Sequence, residues 1–482
     1  MTYPVDPLSN PDSYKGSTDN LAAEKLLFDK VSLHSGNCLH VMSEMLKDNS
    51  IDSCVTDPPY HLKSIVKRFG KEGSAPAQEG TDGRFNRLSR GFMNREWDGG
   101  DIAFRPETWA EVYRVLKPGA YLVAFGGTRS YHRMACAIED AGFEIRDSLM
   151  WLYGTGFPKS HDVSKGIDKQ AGAVREVLER VKAPVGFDTE QQGGGGWSAG
   201  EIAVTAPATD AAREWEGWGT ALKPGFEPIV LARKPLAEKT VAANVLQWRT
   251  GAINIDECRI HSDDAKGYEY TIKRTAPGAV QNKTGEYKQE GVMFTGMTKD
   301  GRWPANVVHD GSAEVVEMFP ESKGQLANAR SDGAPKSGNI YGKMKHRNNE
   351  GGDEFSLLPG QRRGDEGSAA RFFYSAKASK AERAGSKHPT VKPIALMQWL
   401  VRLITPPGGT VIDPFAGTGT VGEAAWRECF RAVLCEAEPE YQEDIRRRMS
   451  MAAMGPEERA RYEIKMRSES QEPEMFPLSE AA

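Results

Sequence analysis

Four consecutive residues, Asp57, Pro58, Pro59 and Tyr60, have the chemistry needed to hold a flat base that carries an amino group. The prolines stiffen the turn, because each fixes its own φ angle and the second forces the first into an extended conformation. A carbonyl on such a turn has no ladder partner, so it can accept a hydrogen bond from a ligand amine. The Asp57 carboxylate can accept a second one, and the Tyr60 ring can stack on the base. A stiff turn at a strand end is the alternative interpretation of these residues.

A second motif, near the other end of the chain, combines an apolar run at 410–413, a glycine-rich turn and a helical pattern at 421–428. Glycines let a ligand approach the backbone closely, and the helix N-terminus offers unpaired N–H groups. This order is typical of a cradle for a nucleotide-like ligand. Three of its glycines also complete a G-x-G-x-x-G pattern, so a dinucleotide is one candidate ligand. The candidate ligand-binding residues of the turn are Asp413, Phe415, Ala416, Gly417, Thr418 and Gly419.

The segment after this helix strengthens the nucleotide interpretation. Residues 431–436 are mostly apolar and predict the next strand, which ends in Glu436. A carboxylate at the carboxyl end of such a strand can accept hydrogen bonds from two ribose hydroxyls. The succession of strand, turn, helix, strand and acid is therefore more specific than the glycines alone.

Together, the motifs at 57–60 and 415–419 resemble those of the DNA methyltransferases that modify exocyclic amino groups. In that family an Asp/Asn/Ser-Pro-Pro-Tyr/Phe motif holds the target base, and a Phe-x-Gly-x-Gly motif holds S-adenosylmethionine. The presence of both favours S-adenosylmethionine over a dinucleotide, and their order resembles the circularly permuted β group of the family. Further segments that resemble this family or its phage and prophage members are 114–119, 154–160, 222–235, 372–377 and 387–393.

The resemblance implies a role for each matching residue. Asp57 and the Pro58 carbonyl would accept the two amino hydrogens of a flipped base, and Tyr60 would stack on it. Phe415 would line the cofactor pocket, and Glu436 would hold the ribose. Thr390 and Lys392, which precede the predicted cofactor strand in the sequence, would border the methionine end of the cofactor.

One position departs from the family pattern. Asn37 stands in Gly-Asn-Cys-Leu, where the family usually has Gly-Asp-Cys-Leu, and the family's aspartate is expected near the adenine of the cofactor. Asparagine keeps an acceptor oxygen and adds N–H donors, so Asn37 remains a candidate cofactor-binding residue.

The expected partner is double-stranded DNA, and the expected target is adenine N6, since an Asp-led motif is more usual for adenine than for cytosine. Cytosine N4 is the closest alternative. An RNA methyltransferase, a protein-glutamine methyltransferase and an inactive DNA-binding protein are the alternatives from other classes. A restriction-modification or phage context, and a homodimer, are compatible with the sequence.

Alternating strand and helix patterns predict an α/β fold with a largely parallel sheet. With the resemblance, this becomes a Rossmann-like methyltransferase sheet, circularly permuted, with a large inserted target-recognition region. The predicted divisions are an N-terminal arm at 1–28, a catalytic half at 29–160, an inserted region at 161–370, a cofactor-binding half at 371–450 and a C-terminal tail at 451–482.

Composition limits the class of protein. The 482 residues, 39% of them hydrophobic, are enough for one large domain or two ordinary ones. No apolar run is long enough to cross a membrane, and the N-terminus lacks the pattern of a signal peptide. The six cysteines form no C-x-x-C pair, which predicts a reduced cytoplasmic protein without structural zinc. We also expect methyl transfer to need no metal.

The net charge of −5 is no argument against DNA binding, because phosphate contacts depend on local patches. Residues 323–347 carry six basic side chains against one acid and can contact a phosphate backbone, although a solvated loop has the same composition. The loop at 61–100 is a candidate lid, in which Phe92 and Trp97 either contact DNA or anchor the loop.

Overall fold

The structure is a computed structural model, and it describes twelve stretches of the chain. They are 23–60, 101–154, 156, 160–182, 201–261, 269–274, 292–297, 299–322, 367–376, 391–455, 458 and 461–462. Several predictions fall outside these residues: most of the N-terminal arm and of the C-terminal tail, the candidate lid at 61–100, the basic segment at 323–347, and Thr390.

The described residues contain sixteen strands. They are β1 (Glu24–Leu26), β2 (Val31–Ser35), β3 (Ile51–Thr56), β4 (Leu116–Phe125), β5 (Glu144–Leu152), β6 (Val177–Lys182), β7 (Glu201–Thr205), β8 (Phe226–Arg233), β9 (Glu269–Arg274), β10 (Val292–Met297), β11 (Val307–His309), β12 (Glu321–Ser322), β13 (Gly367–Ser368), β14 (Tyr374–Ser375), β15 (Thr410–Asp413) and β16 (Arg431–Glu436).

The same residues form ten α-helices and two short 3-10 helices. The α-helices are α1 (Cys38–Met45), α2 (Pro106–Val115), α3 (Tyr131–Asp140), α4 (Val163–Gln170), α5 (Asp210–Glu214), α6 (Val241–Trp248), α7 (Ala313–Met318), α8 (Ile394–Ile404), α9 (Thr420–Arg427) and α10 (Pro439–Ala453). The 3-10 helices are Ile102–Phe104 and Ala369–Phe372.

Ten of these strands form one sheet, in the order β1-β2-β16-β15-β3-β4-β8-β5-β11-β14. Strand β8 is antiparallel to both of its neighbours, and β1 is antiparallel to β2. The other neighbours are parallel. The predicted α/β class with a largely parallel sheet is therefore confirmed.

Helices cover both faces of the sheet, because side chains alternate along each strand. On β4, Val123 and Phe125 pack into the apolar cluster that contains α8, whereas Leu122 and Ala124 pack into the cluster that contains α1, α2 and α3. The apolar stripe of α8 is buried, so it belongs to the core. A strand with both faces buried is expected to be apolar at nearly every position, as β4 is from residue 120 onward.

Strands from the early and the late part of the described chain lie side by side in the sheet. Strand β16 pairs with β2 on one side and with β15 on the other, and β15 pairs with β3. The segments that carry the two motifs thus become neighbours although they are far apart in sequence. Among the described residues, no helix is both long and apolar enough to cross a membrane.

Residues 161–370 contribute to two different parts of the structure. Strands β8 and β11, both within that range, are part of the central sheet, where they pair with β5. A separate compact unit comprises residues 154–225, which is narrower than the predicted insert. Residues 226–233 belong to the sheet because their continuous apolar run can be buried on both faces only between β4 and β5.

The compact unit of 154–225 is held together by strand pairing, a helix contact and a buried carboxylate. A hairpin of β6 and β7 pairs antiparallel, and α4 contacts α5. The fully buried Asp168 joins these parts, since it accepts hydrogen bonds from the Thr209 hydroxyl at 2.8 Å and from Arg175 at 2.7 Å. In the same unit Trp215 and Trp218 are partly exposed and contact each other edge to face.

Candidate active site

The two sequence motifs lie at the same edge of the sheet. Because β3 and β15 are parallel neighbours, their carboxyl ends lie side by side, and each motif begins at one of these ends. The Thr56 hydroxyl, just before the first motif, donates to the Asp413 carboxylate of the second at 2.7 Å. This buried hydrogen bond ties the end of one strand to the end of the other.

Asp57 and Tyr60 are held together by two further side chains. The Tyr60 hydroxyl donates to Asp57 Oδ1 at 2.8 Å and lies 3.2 Å from Glu227 Oε2. Lys392 Nζ lies 2.6 Å from Asp57 Oδ2 and 3.2 Å from Glu227 Oε2. We call these four residues the acid–lysine cluster.

Burial makes the charges of this cluster depend on one another. The Lys392 side chain is 6% exposed, so burial alone would lower its pKa, but the Asp57 and Glu227 carboxylates raise it above its ordinary value. Burial and the same two carboxylates raise the pKa of the Tyr60 phenol well above its ordinary range. Both groups therefore stay protonated at neutral pH, and both act as hydrogen-bond donors.

The neighbouring strand end supports the Tyr60 ring. Ser130 Oγ donates to the Tyr60 carbonyl at 3.0 Å. Gly127 lies so close that a Cβ at this position would be 3.3 Å from the ring. On the other side of the cluster, Lys392 Nζ lies 4.9 Å from the centre of the Phe125 ring. The ring and the ammonium group are thus fixed by the ends of β4 and α8.

The glycine-rich turn has a backbone shape that glycines adopt most readily. Gly417 and Gly419 have φ angles of 52° and 76°, which favour glycine. The Gly417 N–H donates to Glu436 Oε2 at 2.7 Å, and the Ala416 N–H donates to the Cys435 carbonyl at 3.0 Å. The turn is therefore anchored to the end of β16, next to the start of α9.

Two buried carboxyl groups flank this turn. Burial raises the pKa of Asp413 to about 7, although hydrogen bonds from Thr56 and from the Phe415 N–H oppose the shift. Burial likewise raises the pKa of Glu436 to about 7 against the N–H groups of Glu438 and Gly417. Carboxyl groups that ionise near neutral pH are common at functional sites.

The other predicted residues lie as follows. Asn37 precedes α1, and its side-chain oxygen accepts from the Leu39 N–H at 2.9 Å, so it caps the helix. Phe415 is half-buried and packs against the core face that contains α1. Lys392, predicted for the methionine end of the cofactor, contacts Asp57 directly. Thr390 lies outside the described residues.

The residues around the turn fit S-adenosylmethionine. Each Glu436 oxygen accepts one backbone N–H, from Gly417 at 2.7 Å and from Glu438 at 2.8 Å. A carboxylate has about four acceptor positions, so two remain for ribose hydroxyls. The glycines keep side chains out of the turn, and α9 directs its N-terminal N–H groups toward it.

Sequence reasoning missed Glu227. This residue lies within the segment 222–235, which resembles the family, but its motif suggested no role. The sequence feature that could have identified Glu227 is its position as a lone carboxylate at the start of the apolar run of β8. Because β8 is antiparallel to β4, its amino end lies at the edge where the parallel strands have their carboxyl ends.

The chain belongs to the N6/N4 DNA methylase family, since residues 51–447 match the family's sequence profile, which is described as DNA methylase. The type II methyltransferase M.HindIII of Haemophilus influenzae is 28% identical over 223 residues, which are 43% of this chain and 60% of that protein. The type II methyltransferase M2.DpnII of Streptococcus pneumoniae is 39% identical over 70 residues, 14% of this chain and 26% of that protein.

The chain thus spans less than two thirds of the length of these relatives. Among solved structures, a cytosine-N4-specific PvuII DNA methyltransferase is 13% identical with a TM-score of 0.38, over 94% of this chain and 98% of that one. A TM-score this low supports no argument about activity.

A buried arginine should contribute strongly to the stability of the glycine-rich turn. Arg448 is 1% exposed, donates from Nε to the Thr418 carbonyl at 2.8 Å and pairs with Glu423 at 2.9 Å. We expect Arg448→Met to lower the free energy of unfolding by about 3 kcal/mol, because the buried Glu423 keeps Arg427 but loses Arg448, and the Thr418 carbonyl loses its donor. Urea unfolding would measure the loss.

The control is a more exposed arginine on the same helix. Arg446 pairs with Glu24 and is 33% exposed, so Arg446→Met should cost less than about 1 kcal/mol. Equal losses for the two variants would contradict a special role of Arg448.

The raised pKa of Glu436 predicts that cofactor binding depends on pH. A carboxyl group becomes ionised as the pH rises through its pKa, and only the ionised form accepts hydrogen bonds at all of its oxygen positions. We therefore expect the affinity for S-adenosylmethionine to increase from about pH 6 to about pH 8. Calorimetry on wild type and on Glu436→Gln would test this, because Gln cannot ionise and should weaken the dependence. An unchanged pH dependence in the variant would contradict it.

Proposed function

We propose that this protein transfers a methyl group from S-adenosylmethionine to the exocyclic amino nitrogen of a base in double-stranded DNA, with adenine N6 as the target. The observation that carries the proposal is the Thr56–Asp413 hydrogen bond, which brings the base-binding motif and the cofactor motif to one edge of the sheet. A base held at Asp57 and a cofactor held at Gly417 are thereby neighbours. Membership of the N6/N4 DNA methylase family supports the same activity.

The target amino group lies inside the duplex, so the base has to flip out of the stack, which costs a few kcal/mol. Stacking on Tyr60 recovers part of this cost. The Pro58 carbonyl and one acceptor position of Asp57 take the two amino hydrogens, which turns the nitrogen lone pair toward the methyl group. When bound, S-adenosylmethionine would supply an electrophilic methyl group on a sulfonium, with the neutral thioether as the leaving group. Placement of the two reactants then provides most of the acceleration.

Asp57 does not have to be a strong base. The amino nitrogen becomes acidic once it carries the methyl group, so its proton can leave after the transfer. In the acid–lysine cluster Asp57 already accepts from Tyr60 and from Lys392. The principal task of its carboxylate is therefore to orient the amino group.

The compact unit of 154–225 is our candidate for target recognition. Its partly exposed tryptophans, Trp215 and Trp218, can stack on a base. The protein would act in the cytoplasm of a bacterial host or a phage-infected cell. The preference for adenine rests on the Asp-led motif, with cytosine N4 as the second candidate.

The decisive experiment is transfer of a tritiated methyl group to DNA, RNA and protein. Incorporation into DNA alone is expected, and incorporation only into RNA or protein would overturn the proposal. Methylation-sensitive long-read sequencing of DNA from an expressing host would then identify both the base and the recognition site. Methylated cytosine instead of adenine would correct the base while leaving the reaction class intact.

A further inference from the structure

The ammonium of Lys392 has three N–H donors, and three acceptors surround it. They are Asp57 Oδ2 at 2.6 Å, Glu227 Oε2 at 3.2 Å and the Tyr60 hydroxyl oxygen at 3.3 Å. The side chains of Asp57 and Glu227 are 22% and 17% exposed, so both carboxylates are largely shielded from water. A single buried cation is thus shared between two carboxylates and a phenol.

This sharing determines what Asp57 can offer to a substrate. Tyr60 donates to Asp57 Oδ1 and Lys392 to Oδ2, so each oxygen has one donor from the protein. Each oxygen also has a second acceptor position, which is free to take a hydrogen from the target amino group. How strongly that position attracts the hydrogen depends on how much of the Asp57 charge the ammonium neutralises.

We propose that Glu227 is a positioning residue for methyl transfer, which holds part of the Lys392 ammonium so that Asp57 keeps its orientation and its negative charge for the amino group. The inference rests on the proposed function of Asp57. Without the Glu227 charge, the ammonium pairs with Asp57 alone and weakens it as an acceptor. Glu227 acts through its neighbours and has no contact with the reacting atoms.

The pH dependence follows from the groups that face Glu227. These are Asp57 and Tyr60 after β3, Lys392 before α8, and Tyr153 after β5. Burial raises the pKa of Glu227, the Lys392 ammonium opposes this, and the Asp57 charge adds to it. Lys392, Tyr60 and Tyr153 have raised pKa values and stay protonated at neutral pH. Lowering the pH therefore protonates Glu227 and removes its negative charge, so the ammonium then pairs with Asp57 alone.

The kinetic test compares wild type with Glu227→Gln, which keeps the size and an acceptor oxygen but removes the charge. We expect kcat to fall on the order of 10²-fold, the size of effect that a misplaced reactant causes. The dissociation constant of S-adenosylmethionine, measured by calorimetry, should stay unchanged. Because Gln cannot titrate, the fall of kcat on the acid side should move to lower pH. Glu227→Asp, which keeps the charge, should recover part of the rate.

Two further variants separate positioning from a general structural effect. Glu144→Gln is the matched control, since Glu144 pairs with Arg233 at the other end of the same β5–β8 ladder and is 41% exposed. It should leave kcat and the pH profile as they are. In a Lys392→Met background, Glu227→Gln should have little further effect, because the two residues act as one unit.

A readout that needs no activity distinguishes this inference from the proposed function. In protein with ¹⁵N-labelled lysine, the buried Lys392 ammonium should give a slowly exchanging NMR signal that is absent in Lys392→Met. Glu227→Gln should shift this signal, and Glu144→Gln should not. An unshifted signal, an unchanged kcat, or an equal loss in the Lys392→Met background would each overturn the inference. If wild type methylates no substrate, the proposed function fails, and the NMR result still decides whether Glu227 holds the ammonium.

Discussion

Asp57→Ala is expected to abolish methyl transfer, with a loss of kcat on the order of 10³-fold or more, while leaving the binding of S-adenosylmethionine largely intact. The reason is geometric. Asp57 is the carboxylate that both Tyr60 and Lys392 orient, and each of its oxygens has one further acceptor position for the proposed base. The cofactor turn is held by other residues, since Gly417 bonds to Glu436 at the end of β16.

The variant should remain folded. Lys392 keeps the Glu227 carboxylate at 3.2 Å, so its buried charge still has a partner. Asp57→Asn, which keeps an acceptor oxygen, should retain more activity than Asp57→Ala. The control is Asp48→Ala at an exposed ion pair with Arg114, where no loss is expected. Single-turnover methylation and calorimetry would provide the two readouts, and an active Asp57→Ala enzyme would refute the assigned role.

Gly417→Asp should abolish the binding of S-adenosylmethionine. The Gly417 N–H lies 2.7 Å from Glu436 Oε2, so a second carboxylate would be placed next to a buried one. Two neighbouring carboxylates repel each other strongly in a shielded environment. The new side chain would also occupy the turn that the cofactor approaches. We expect the dissociation constant to increase on the order of 10²-fold or more, measured by calorimetry.

Backbone strain has to be separated from charge, because Gly417 has a φ angle of 52°. Gly408→Asp is the matched control: Gly408 has a φ angle of 71°, and a Cβ there would meet no atom within 4 Å. It imposes a similar strain outside the cofactor turn and should leave binding unchanged. Gly417→Asn, of the same size without the charge, should bind better than Gly417→Asp. Equal affinities of the two Gly417 variants would contradict the electrostatic explanation.

Most of the elements around the motifs could be predicted from local patterns. The strands β15 and β16 have the predicted bounds, and β3 ends where the first motif begins. Strand β4 begins at Leu116, ahead of the apolar run at 121–125, because Leu116 pairs with Ile51 before a shift in register. Hydrophobic periodicity specifies an element well, but it specifies its ends poorly because pairing with a neighbour decides them.

The position of β8 could not be predicted in the same way. No strand was predicted there from the sequence, and even an apolar run does not state which neighbours a strand has or which direction it takes. The range 161–370 was therefore assigned to one insert, whereas the sheet takes in β8 and β11 and the compact unit ends at residue 225. Pairing between distant strands depends on the whole set of elements that compete for the same edges.

The sequence by itself determined the residue types that carry the proposed chemistry: a carboxylate and a ring on a rigid turn, a glycine cradle, and an acid after the next strand. These are local features, because turns and strand ends depend on a few consecutive residues. Only the tertiary structure decided that Thr56 meets Asp413 and that Lys392 lies between Asp57 and Glu227. Glu227 reaches the site because an antiparallel strand brings its amino end to the edge where parallel strands end, and strand direction is set by packing and pairing across the sheet.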